Sequence, residues 1–499
     1  MGLVLSYNEV NMQNYVTERV KMNNLTLLTD LYQLTMMNGY RISGMDKRMA
    51  VFDVFYRGAG GYSYALAAGL DQAIDYILNL RFDDSDIDYL RSLGIFDEEF
   101  FAALKNFRFS GDIKAVPEGT VVFPYEPIMT VSAPLWEAQL VETALLTFIN
   151  HQTLIATKAM RLCECTDKKI SEFGLRRAQG ADAGVYGARA AYIGGVRTTS
   201  NVVAGKLFDI PVTGTHSHSW VMSFPSELEA FERYAEIYPD KCLLLVDTYD
   251  TLKSGVPNAI KIFDKLKAEG HKPLGIRLDS GDLAYLSKKA RAMLDEAGHS
   301  DCLIFATNDL DEDILLALNS QNAKIDVYGI GTKLITSYNN ASLGGVYKLC
   351  ALEDGGELVP KIKVSNSHEK TTNPGVKKVV RILKNGMAQA DLICLENEQF
   401  DTAKPLTVFH PEQTYKRTTF TDYEVRELMV PIFKNGELVY EQPTLKEIAQ
   451  NADKNIAEFF PEYRRVVNTQ TYKVDLSKPL WDLKQSLLNA SNPLRTTEE

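Results

Sequence analysis

Between residues 243 and 330, short apolar runs alternate with amphipathic stretches, and the apolar runs recur about every 30 residues. The runs predicted to be strands are Leu243–Val246, Leu274–Leu278, Leu303–Ala306 and Ile325–Ile330, and the predicted helices are Asn258–Glu269, 282–297 and Asp311–Asn319. In helix 282–297, apolar residues repeat every three or four positions, and Gly298 ends the pattern. This order is typical of parallel βα units.

The pattern outside this region is more mixed. Residues 1–150 contain an amphipathic helix from Leu27 to Tyr40 and a Phe-rich strand at Val51–Tyr56. Residues 353–499 carry short β-like runs at Val379–Leu383 and Glu437–Tyr440, without a recognisable chemical motif. We therefore predict an α/β chain of three segments, 1–150, 151–352 and 353–499.

The composition is that of a folded globular protein with no nucleic-acid partner. Of 499 residues, 45% are hydrophobic and 24% are charged. Asp and Glu number 65 against 54 Lys and Arg, a formal net charge of -11 that disfavours non-specific nucleic-acid binding. Anionic substrates would need local basic pockets.

The cysteines and the hydropathy predict a cytoplasmic protein that does not cross a membrane. Six cysteines are too few for a disulfide scaffold, and most lie in apolar runs, as expected of buried free thiols in a reducing compartment. Cys163 and Cys165 have no second pair nearby that would complete a zinc site. The sequence has no run of 18 apolar residues.

Polar and glycine-rich clusters follow each predicted strand directly. They are Thr213-Gly-Thr-His-Ser-His218 (after an earlier predicted strand, Ile210–Val212), Asp247-Thr-Tyr-Asp250, Asp279-Ser-Gly-Asp282, Thr307-Asn-Asp309 and Gly329-Ile-Gly-Thr-Lys333. The carboxyl ends of the strands are where α/β barrels place their active sites. Asp279 or Ser280 could instead cap the helix that follows, but five clusters in succession favour a functional face.

The residue types in these clusters suit a phosphorylated sugar. Glycine turns present free backbone N–H groups to phosphates, and the paired carboxylates of the two Asp clusters suit hydrated Mg²⁺ or ribose hydroxyls. Arg176, Arg177 and Arg277 supply positive charge. No Walker-type phosphate loop is present.

His216 and His218 form the one closely spaced histidine pair of the chain. A metal site would need further clustered ligands, which the sequence does not offer. A structural hydrogen-bonding role and a chemical role both remain open for these residues.

Eight blocks occur in an order that resembles the nicotinate phosphoribosyltransferase family. They are Leu28-Thr-Asp-Leu-Tyr-Gln33, Glu172-Phe-Gly-Leu-Arg-Arg-Ala-Gln179, Ala191-Tyr-Ile-Gly-Gly195, Thr198-Thr-Ser-Asn201, Gly214-Thr-His-Ser-His-Ser-Trp220, Val246-Asp-Thr-Tyr-Asp250, Gly275-Ile-Arg-Leu-Asp-Ser-Gly-Asp282 and Gly329-Ile-Gly-Thr-Lys333. The resemblance covers about residues 25 to 352, and the last 150 residues look like the C-terminal extension of the longer bacterial members.

The resemblance implies a fold and a reaction. The fold is an irregular α/β barrel of the type II phosphoribosyltransferase kind, with an N-terminal α/β sandwich domain and a C-terminal extension. The reaction joins nicotinate to phosphoribosyl pyrophosphate in NAD biosynthesis and is coupled to ATP hydrolysis. Mg²⁺ and a homodimer with shared active sites are also implied.

The resemblance also assigns roles to individual residues. His218 matches the phosphorylated histidine, Thr215 and Arg277 match nicotinate contacts, and Thr332 matches a contact to the phosphoribosyl donor. Phe173, and Tyr32 from the other subunit, match the aromatic rings around the pyridine, while Arg176, Asp247, Asp279, Ser280 and Gly331 match the donor site. Asp247 and Asp279 would also stabilise positive charge on the ribose carbon. Ser219 stands where several relatives carry Glu, which leaves open the group that orients the His218 ring.

Three other functions compete with this interpretation. The sister enzyme that uses nicotinamide carries an Asp in the segment corresponding to Thr198–Asn201, which has no carboxylate here. An Asp about 4 Å from the nicotinate carboxylate would repel it by roughly 4 kcal/mol at an effective dielectric near 20. A barrel glycoside hydrolase would have no use for His218, and a non-catalytic scaffold leaves the strand-end clusters unexplained.

Overall fold

The computed structural model describes residues 24–58, 62–365, 367 and 370–491. Its strands are β1 (Met49–Tyr56), β2 (Ala65–Leu66), β3 (Asp112–Ala115), β4 (Val121–Val122), β5 (Met129–Pro134), β6 (Lys169–Glu172), β7 (Thr198–Thr199), β8 (Leu243–Leu245), β9 (Gly275–Leu278), β10 (Leu303–Asn308), β11 (Val327–Ile330), β12 (Gly345–Asp354), β13 (Glu357–Pro360), β14 (Lys377–Lys384), β15 (Met387–Leu395), β16 (Leu406–Phe409), β17 (Arg417–Phe420), β18 (Glu424–Glu427), β19 (Val430–Lys434), β20 (Glu437–Leu438) and β21 (Val474–Leu476).

The helices lie between these strands and on their faces. They are α1 (Leu31–Ile42), α2 (Leu70–Asn79), α3 (Asp84–Ser92), α4 (Glu98–Lys105), α5 (Leu135–Leu140), α6 (Glu142–Glu164), α7 (Ala181–Ile193), α8 (Val202–Phe208), α9 (His218–Met222), α10 (Glu227–Ile237), α11 (Val256–Ala268), α12 (Leu283–Glu296), α13 (Glu312–Ser320), α14 (Thr332–Ile335), α15 (Leu445–Ala457), α16 (Pro461–Arg464) and α17 (Lys478–Ser491).

The first layer is a seven-stranded sheet in the order β13-β12-β1-β5-β3-β19-β20. Strand β1 contains the predicted run Val51–Tyr56 and is buried at every position after Met49, because apolar side chains cover both of its faces. The sheet combines strands from all three sequence segments: β1, β3 and β5 come from the first, β12 reaches the end of the second, and β13, β19 and β20 come from the third.

The second layer is a six-stranded parallel sheet in the order β7-β6-β11-β10-β9-β8. Strands β8 to β11 lie at the predicted apolar runs, and helices α11, α12 and α13 lie between them, within a few residues of the predicted bounds. The apolar faces of these helices pack on the strands in one buried cluster that includes Phe263, Leu294 and Leu315. The predicted βα series is confirmed.

The predicted strand at Ile210–Val212 is not a strand in the structure. Val212 forms only an isolated parallel bridge to Thr199 at the end of β7. The physical reason lies in Pro211, which has no N–H to donate to a ladder. Its carbonyl accepts a hydrogen bond from the Thr199 N–H at 3.1 Å, and the Thr213 N–H donates back to the Thr199 carbonyl at 2.9 Å.

Side chains, rather than a backbone ladder, join this segment to β8. The Thr215 hydroxyl donates to the Leu243 carbonyl at 2.6 Å. The Leu245 N–H donates to Nε2 of His216 at 3.3 Å. The segment 211–216 therefore bridges the two outer strands, β7 and β8, and closes the parallel sheet into an irregular barrel.

His216 is held in place as a neutral, buried ring. Its side chain is 8% exposed and its edge packs against Tyr234, with ring centroids 4.7 Å apart. Burial lowers the pKa of His216 to about 4. The hydrogen bond from the Leu245 N–H requires an unprotonated Nε2, so the geometry supports the structural role considered for this histidine.

The third segment adds a four-stranded sheet in the order β18-β14-β15-β21, of which only the β15–β21 pair is parallel. The predicted run Val379–Leu383 lies in β14, whereas only the first two residues of the predicted run Glu437–Tyr440 form a strand, β20. A fully buried ion pair fixes this sheet to the rest of the chain, because Arg381 donates to Asp391 at 2.6 Å and to the Val121 carbonyl at 2.8 Å.

The cysteines agree with the prediction of mostly buried free thiols. All six cysteines are free, and only Cys163 among them is not buried. No helix in the described ranges is long and apolar enough to cross a membrane.

The barrel closure predicts a pH dependence of stability. The pKa of His216 is about 4 in the folded chain and about 6.5 when unfolded. Between these values the unfolded chain binds a proton that the folded chain does not. The contribution of His216 to the free energy of unfolding is therefore complete above pH 6.5. It falls by roughly 1 to 3 kcal/mol as the pH drops towards 4. Urea unfolding of the wild type and His216→Gln at several pH values measures this difference.

His271→Gln is the matched control, because His271 is a surface histidine paired with Asp240 at 3.0 Å. This variant should keep the wild-type slope of unfolding free energy between pH 6.5 and 4.5, whereas His216→Gln should lose part of it. Equal slopes for the wild type and His216→Gln would contradict the role of His216 in closure.

Candidate active site

The carboxyl ends of the parallel strands are nearly level. Along the sheet, Leu245 pairs with Arg277, Leu278 with Ala306, and Ile330 with Glu172. The polar clusters that follow strands β8, β9, β10 and β11 consequently lie at one edge of the barrel. The clusters therefore share one face, as the sequence predicted.

In each of the clusters 247–250 and 279–282, the second aspartate caps the helical turn that follows and the first does not. Asp250 caps the π-helical turn Thr251–Gly255 through the N–H groups of its first residues, and Asp282 caps α12 by accepting the Tyr285 N–H at 2.9 Å. Asp247 and Asp279 are thereby left to face the barrel mouth. The capping role considered for Asp279 and Ser280 belongs to Asp282.

Asp279 is the centre of the polar contacts. Nη2 of Arg277 donates to its Oδ1 at 2.7 Å, and the Thr307 hydroxyl donates to the same oxygen. Nε of Arg277 also donates to Thr307 at 2.9 Å. The three side chains form a closed triangle in which the guanidinium is only 14% exposed.

This environment keeps the Asp279 carboxylate ionised. Partial burial raises its pKa, but the hydrogen bonds from Thr307 and Arg277 and the positive charge of Arg277 outweigh burial, so that the pKa of Asp279 is lowered below its ordinary value. Asp279 is therefore a negative charge at the barrel mouth throughout the neutral range.

Asp247 lies next to Asp279 and orders the loop after β9. Its Oδ2 accepts the Asp279 N–H at 2.8 Å and the Ser280 hydroxyl at 2.6 Å. Its Oδ1 is buried without a hydrogen-bond partner among the described residues. An unpartnered buried carboxylate oxygen is costly, and it fits a hard cation or a ribose hydroxyl as its missing partner.

His218 is the first residue of α9 and reaches towards these carboxylates. Nδ1 lies 3.2 Å from the Thr248 hydroxyl, and Nε2 lies 3.5 Å from Oδ2 of Asp279. The imidazole is 40% exposed. His218 is thus an accessible ring whose Nδ1 is fixed by a neighbouring side chain and whose Nε2 lacks a short hydrogen bond.

An aromatic wall and a glycine turn complete the mouth. A Cβ on Gly329 would lie 2.7 Å from the Phe173 ring, and one on Gly331 would lie 2.9 Å from the Phe173 carbonyl. The two glycines therefore let the chain around Phe173 pack directly on β11. Glu172 fixes this turn through the Gly174 N–H and through the Thr199 hydroxyl at 2.5 Å.

Three predicted residues lie at the edges of this face. Thr332 begins α14 and is half-buried, and Arg176 lies exposed on the short helical turn Leu175–Arg177 that follows Phe173. Tyr32 belongs to α1, is 48% exposed and has Glu142 and Asp30 as its charged neighbours. Most of the predicted site residues thus lie together at the barrel mouth. Tyr32 lies apart from them, on helix α1.

Thr248, Thr307 and Glu172 were not among the predicted site residues. Thr248 and Thr307 belong to two of the predicted clusters, at the second and first position after a predicted strand. The strand-end rule that selected Asp247 could have selected them too. Glu172 is buried at the last position of β6, where sequence alone does not distinguish it from a solvated strand residue.

The family models and the most similar relatives all indicate the same family. Three family models match: the nicotinate phosphoribosyltransferase N-terminal domain over residues 27–150, the nicotinate phosphoribosyltransferase family over 168–400, and its C-terminal domain over 376–484. Nicotinate phosphoribosyltransferase of Bacillus subtilis is 46% identical over 473 residues, which are 94% of this chain and 96% of that protein. The Caenorhabditis elegans enzyme of the same name is 35% identical over 95% of both chains.

The structural comparison agrees. Human nicotinic acid phosphoribosyltransferase superposes with a TM-score of 0.80 at 32% identity and covers 92% of this chain and 99% of the human chain. Its likeness identifies the closed parallel sheet and the layer beside it as the α/β barrel and α/β sandwich of type II phosphoribosyltransferases. The chain belongs to the nicotinate phosphoribosyltransferase family.

Proposed function

We propose that the chain forms nicotinate mononucleotide and pyrophosphate from nicotinate and phosphoribosyl pyrophosphate, at the cost of ATP, in cytoplasmic NAD biosynthesis. The observation that carries the proposal is the placement of Arg277 and His218 on the same carboxylate, Asp279, at the barrel mouth. Arg277 suits a carboxylate substrate, and His218 suits a phosphoryl group.

Arg277 is proposed to bind the nicotinate carboxylate. A guanidinium has five N–H donors, and the bonds to Thr307 and Asp279 use Nε–H and one hydrogen of Nη2. The N–H groups of Nη1 and the second N–H of Nη2 remain. One N–H from each nitrogen can make a bidentate contact with a planar carboxylate. Phe173 would hold the pyridine ring from one side, and the resemblance adds Thr215 to the nicotinate contacts.

The segment Thr198–Asn201 favours nicotinate over nicotinamide. Thr199 is hydrogen-bonded to Glu172, and Asn201 caps α8 by accepting the Ala204 N–H at 3.1 Å. Both side chains are committed to the fold and neither is a carboxylate. The carboxylate that accepts from the nicotinamide amide in the sister enzyme is therefore missing from this segment.

The donor site would lie along the loops after β6, β8, β9 and β11. Arg176, Ser280, Gly331 and Thr332 would contact the phosphate groups and the ribose. Asp247 and Asp279 face the mouth as carboxylates that can stabilise positive charge on the ribose carbon as pyrophosphate leaves. The pyridine nitrogen is itself the nucleophile, so that this step needs no general base.

Mg²⁺ fits the same two carboxylates. The buried Oδ1 of Asp247 lacks a partner among the described residues, and Asp279 stays ionised at neutral pH, as a hard cation with oxygen ligands requires. Asp247 and Asp279 would hold it, and the ion would supply charge that neutralises the pyrophosphate.

ATP coupling is proposed to run through Nε2 of His218. In the tautomer in which Nδ1–H donates to the Thr248 hydroxyl, the Nε2 lone pair is free to attack. An N–P bond forms at Nε2 as the bond between the γ-phosphorus and the ADP oxygen breaks. Water later cleaves the N–P bond and releases phosphate. Thr248 would thereby replace the missing Glu at Ser219 as the group that orients the ring.

A glycoside hydrolase is disfavoured by the same contacts. One carboxyl group of such an enzyme must be a general acid with a raised pKa. Asp279 has a lowered pKa, and Asp247 accepts hydrogen bonds from the loop that carries Asp279.

The proposed function predicts a strict pattern of substrates. Radiolabelled nicotinate with phosphoribosyl pyrophosphate should yield mononucleotide, faster with ATP than without. Nicotinamide should react at least about a hundredfold more slowly, because no carboxylate is placed for its amide. His218→Ala should abolish nicotinate-dependent ATP hydrolysis but leave the slow, ATP-independent transfer. ³¹P NMR should place the acid-labile phosphate on Nε2.

His271→Ala, a surface histidine variant, is the control and should retain coupling. Undiminished phosphate incorporation into His218→Ala would remove His218 from the proposal. Equal use of nicotinate and nicotinamide would overturn the assigned substrate.

A homodimer with shared sites is proposed from the placement of Tyr32. Tyr32 is 48% exposed on α1, and its neighbours Leu31 and Met36 are 52% and 37% exposed. These apolar side chains form a surface that a second copy could cover. The resemblance places Tyr32 over the pyridine bound by that copy, opposite Phe173.

Mixed dimers test this arrangement. Tyr32→Ala and His218→Ala chains are co-expressed with different affinity tags, and the heterodimer is isolated by both. If sites are shared, one site of each heterodimer carries both changes and the other carries none, so that about half of the wild-type activity should be present.

Tyr89→Ala, which changes a tyrosine of the first layer that is 57% exposed, should leave full activity in the homodimer. A heterodimer as inactive as its two parents would reject the shared site.

A further inference from the structure

A cavity lies between the third segment and the chain at Phe123–Tyr125, away from the barrel mouth. Its volume is about 980 Å³, within the range of sites for small metabolites. Strand β21 and helix α17 form one wall, the chain at Phe123–Tyr125 forms another, and the loop 410–416 forms a third. None of the strand-end clusters of the barrel contributes a lining residue.

Lysines outnumber carboxylates along this cavity, three to two, although the chain is acidic overall. Lys416, Lys473 and Lys484 line it, together with His410. Nζ of Lys484 donates to the Asn373 side chain at 2.9 Å, and its pKa is lowered by burial. The carboxylate of Glu412, which also lines the cavity, opposes this lowering. The Lys484 ammonium group would therefore be shared between Glu412 and an anionic ligand.

The wall also contains a buried carboxyl group without a hydrogen bond. Asp475, in the middle of β21, is 1% exposed, and neither of its oxygens has a hydrogen-bond partner among the described residues. The nearest cation, Nζ of Lys473, is 3.8 Å away. Buried polar groups in native proteins are almost always hydrogen-bonded, so this carboxyl group points to a ligand that carries N–H or O–H donors.

The aromatic part of the lining is rigid. Tyr472 stacks on Phe123 with centroids 4.2 Å apart, and its hydroxyl donates to Asp391 at 3.1 Å. Nε1 of Trp481 donates to the Pro411 carbonyl at 2.9 Å. Because these rings are already fixed, a flat ligand would lose little side-chain entropy on binding.

We propose that this cavity binds a nucleoside monophosphate. The base would lie against the aromatic lining and donate N–H groups to Asp475, and the phosphate would pair with Lys473 and Lys484. Inorganic phosphate alone would leave the carboxyl group and the aromatic surface unused. This site is independent of the barrel reaction, since its residues lie in a different layer of the chain.

Isothermal titration of the full chain with AMP and GMP tests the proposal. At least one of them should bind once per chain with a Kd on the order of 100 μM or lower, and the corresponding nucleoside and inorganic phosphate should each bind at least about tenfold more weakly. Lys484→Met and Asp475→Asn should each weaken binding at least about tenfold. Lys473→Met provides a second test of the phosphate contact.

Lys446→Met, an exposed lysine on α15, is the matched control, and Arg277→Ala controls for binding at the barrel mouth. Both should bind the nucleotide as the wild type does, with thermal unfolding confirming that every variant is folded. No binding of AMP or GMP at 1 mM (about −4 kcal/mol) would overturn the proposal. Binding that is lost in Arg277→Ala but kept in Lys484→Met and Asp475→Asn would overturn it as well.

Discussion

The carboxylate of Asp279 organises the barrel mouth. It accepts hydrogen bonds from Arg277 and Thr307, faces Nε2 of His218, and its own backbone N–H is bound by Asp247. These groups lie in or follow different strands of the barrel. The one ionised side chain of Asp279 holds them close together. Removing its charge would leave the largely buried guanidinium of Arg277 without an ionic partner, which is costly in a partly desolvated site.

The same arrangement gives a physical basis for coupling. In the proposed reaction, Arg277 binds the carboxylate of one substrate and His218 carries the phosphoryl group of another. Asp279 lies between His218 and Arg277. A change in the charge of His218 would therefore change the electrostatic potential at Arg277. The proposed phosphorylation of His218 would add negative charge beside Asp279, and the repulsion would favour discharge of the phosphate.

The barrel that holds these groups depends on side chains for its closure. Thr215 and His216 bind backbone groups of β8, while Pro211 and Thr213 bind Thr199 at the end of β7. His218 lies only two residues beyond this closure. The position of His218 is therefore set by the same segment that completes the barrel, and the neutral state of His216 supports the position of its neighbour.

Much of the barrel could be predicted from sequence, because apolar runs such as those of β9 and β10 and the helical period of α12 directly reflect burial. The strand-end rule likewise placed Asp247 and Asp279 on one face. The assignment of Asp250 and Asp282 to caps could not be predicted, since either aspartate of each pair can cap a helix. The bridge at Val212 was mistaken for a strand because hydropathy does not register the missing N–H of Pro211. The contribution of β19 and β20 to the first sheet is a long-range pairing that no local pattern encodes.

The Arg277→Lys variant tests the central claim, that Asp279 holds an arginine fork for the substrate carboxylate. Lysine keeps the charge and can still pair with Asp279, but it has no planar fork. The KM for nicotinate should rise at least about tenfold, equivalent to about 1.4 kcal/mol. The KM for phosphoribosyl pyrophosphate should change less, and the surface variant Arg233→Lys should behave as the wild type. An unchanged KM for nicotinate in Arg277→Lys would contradict the account.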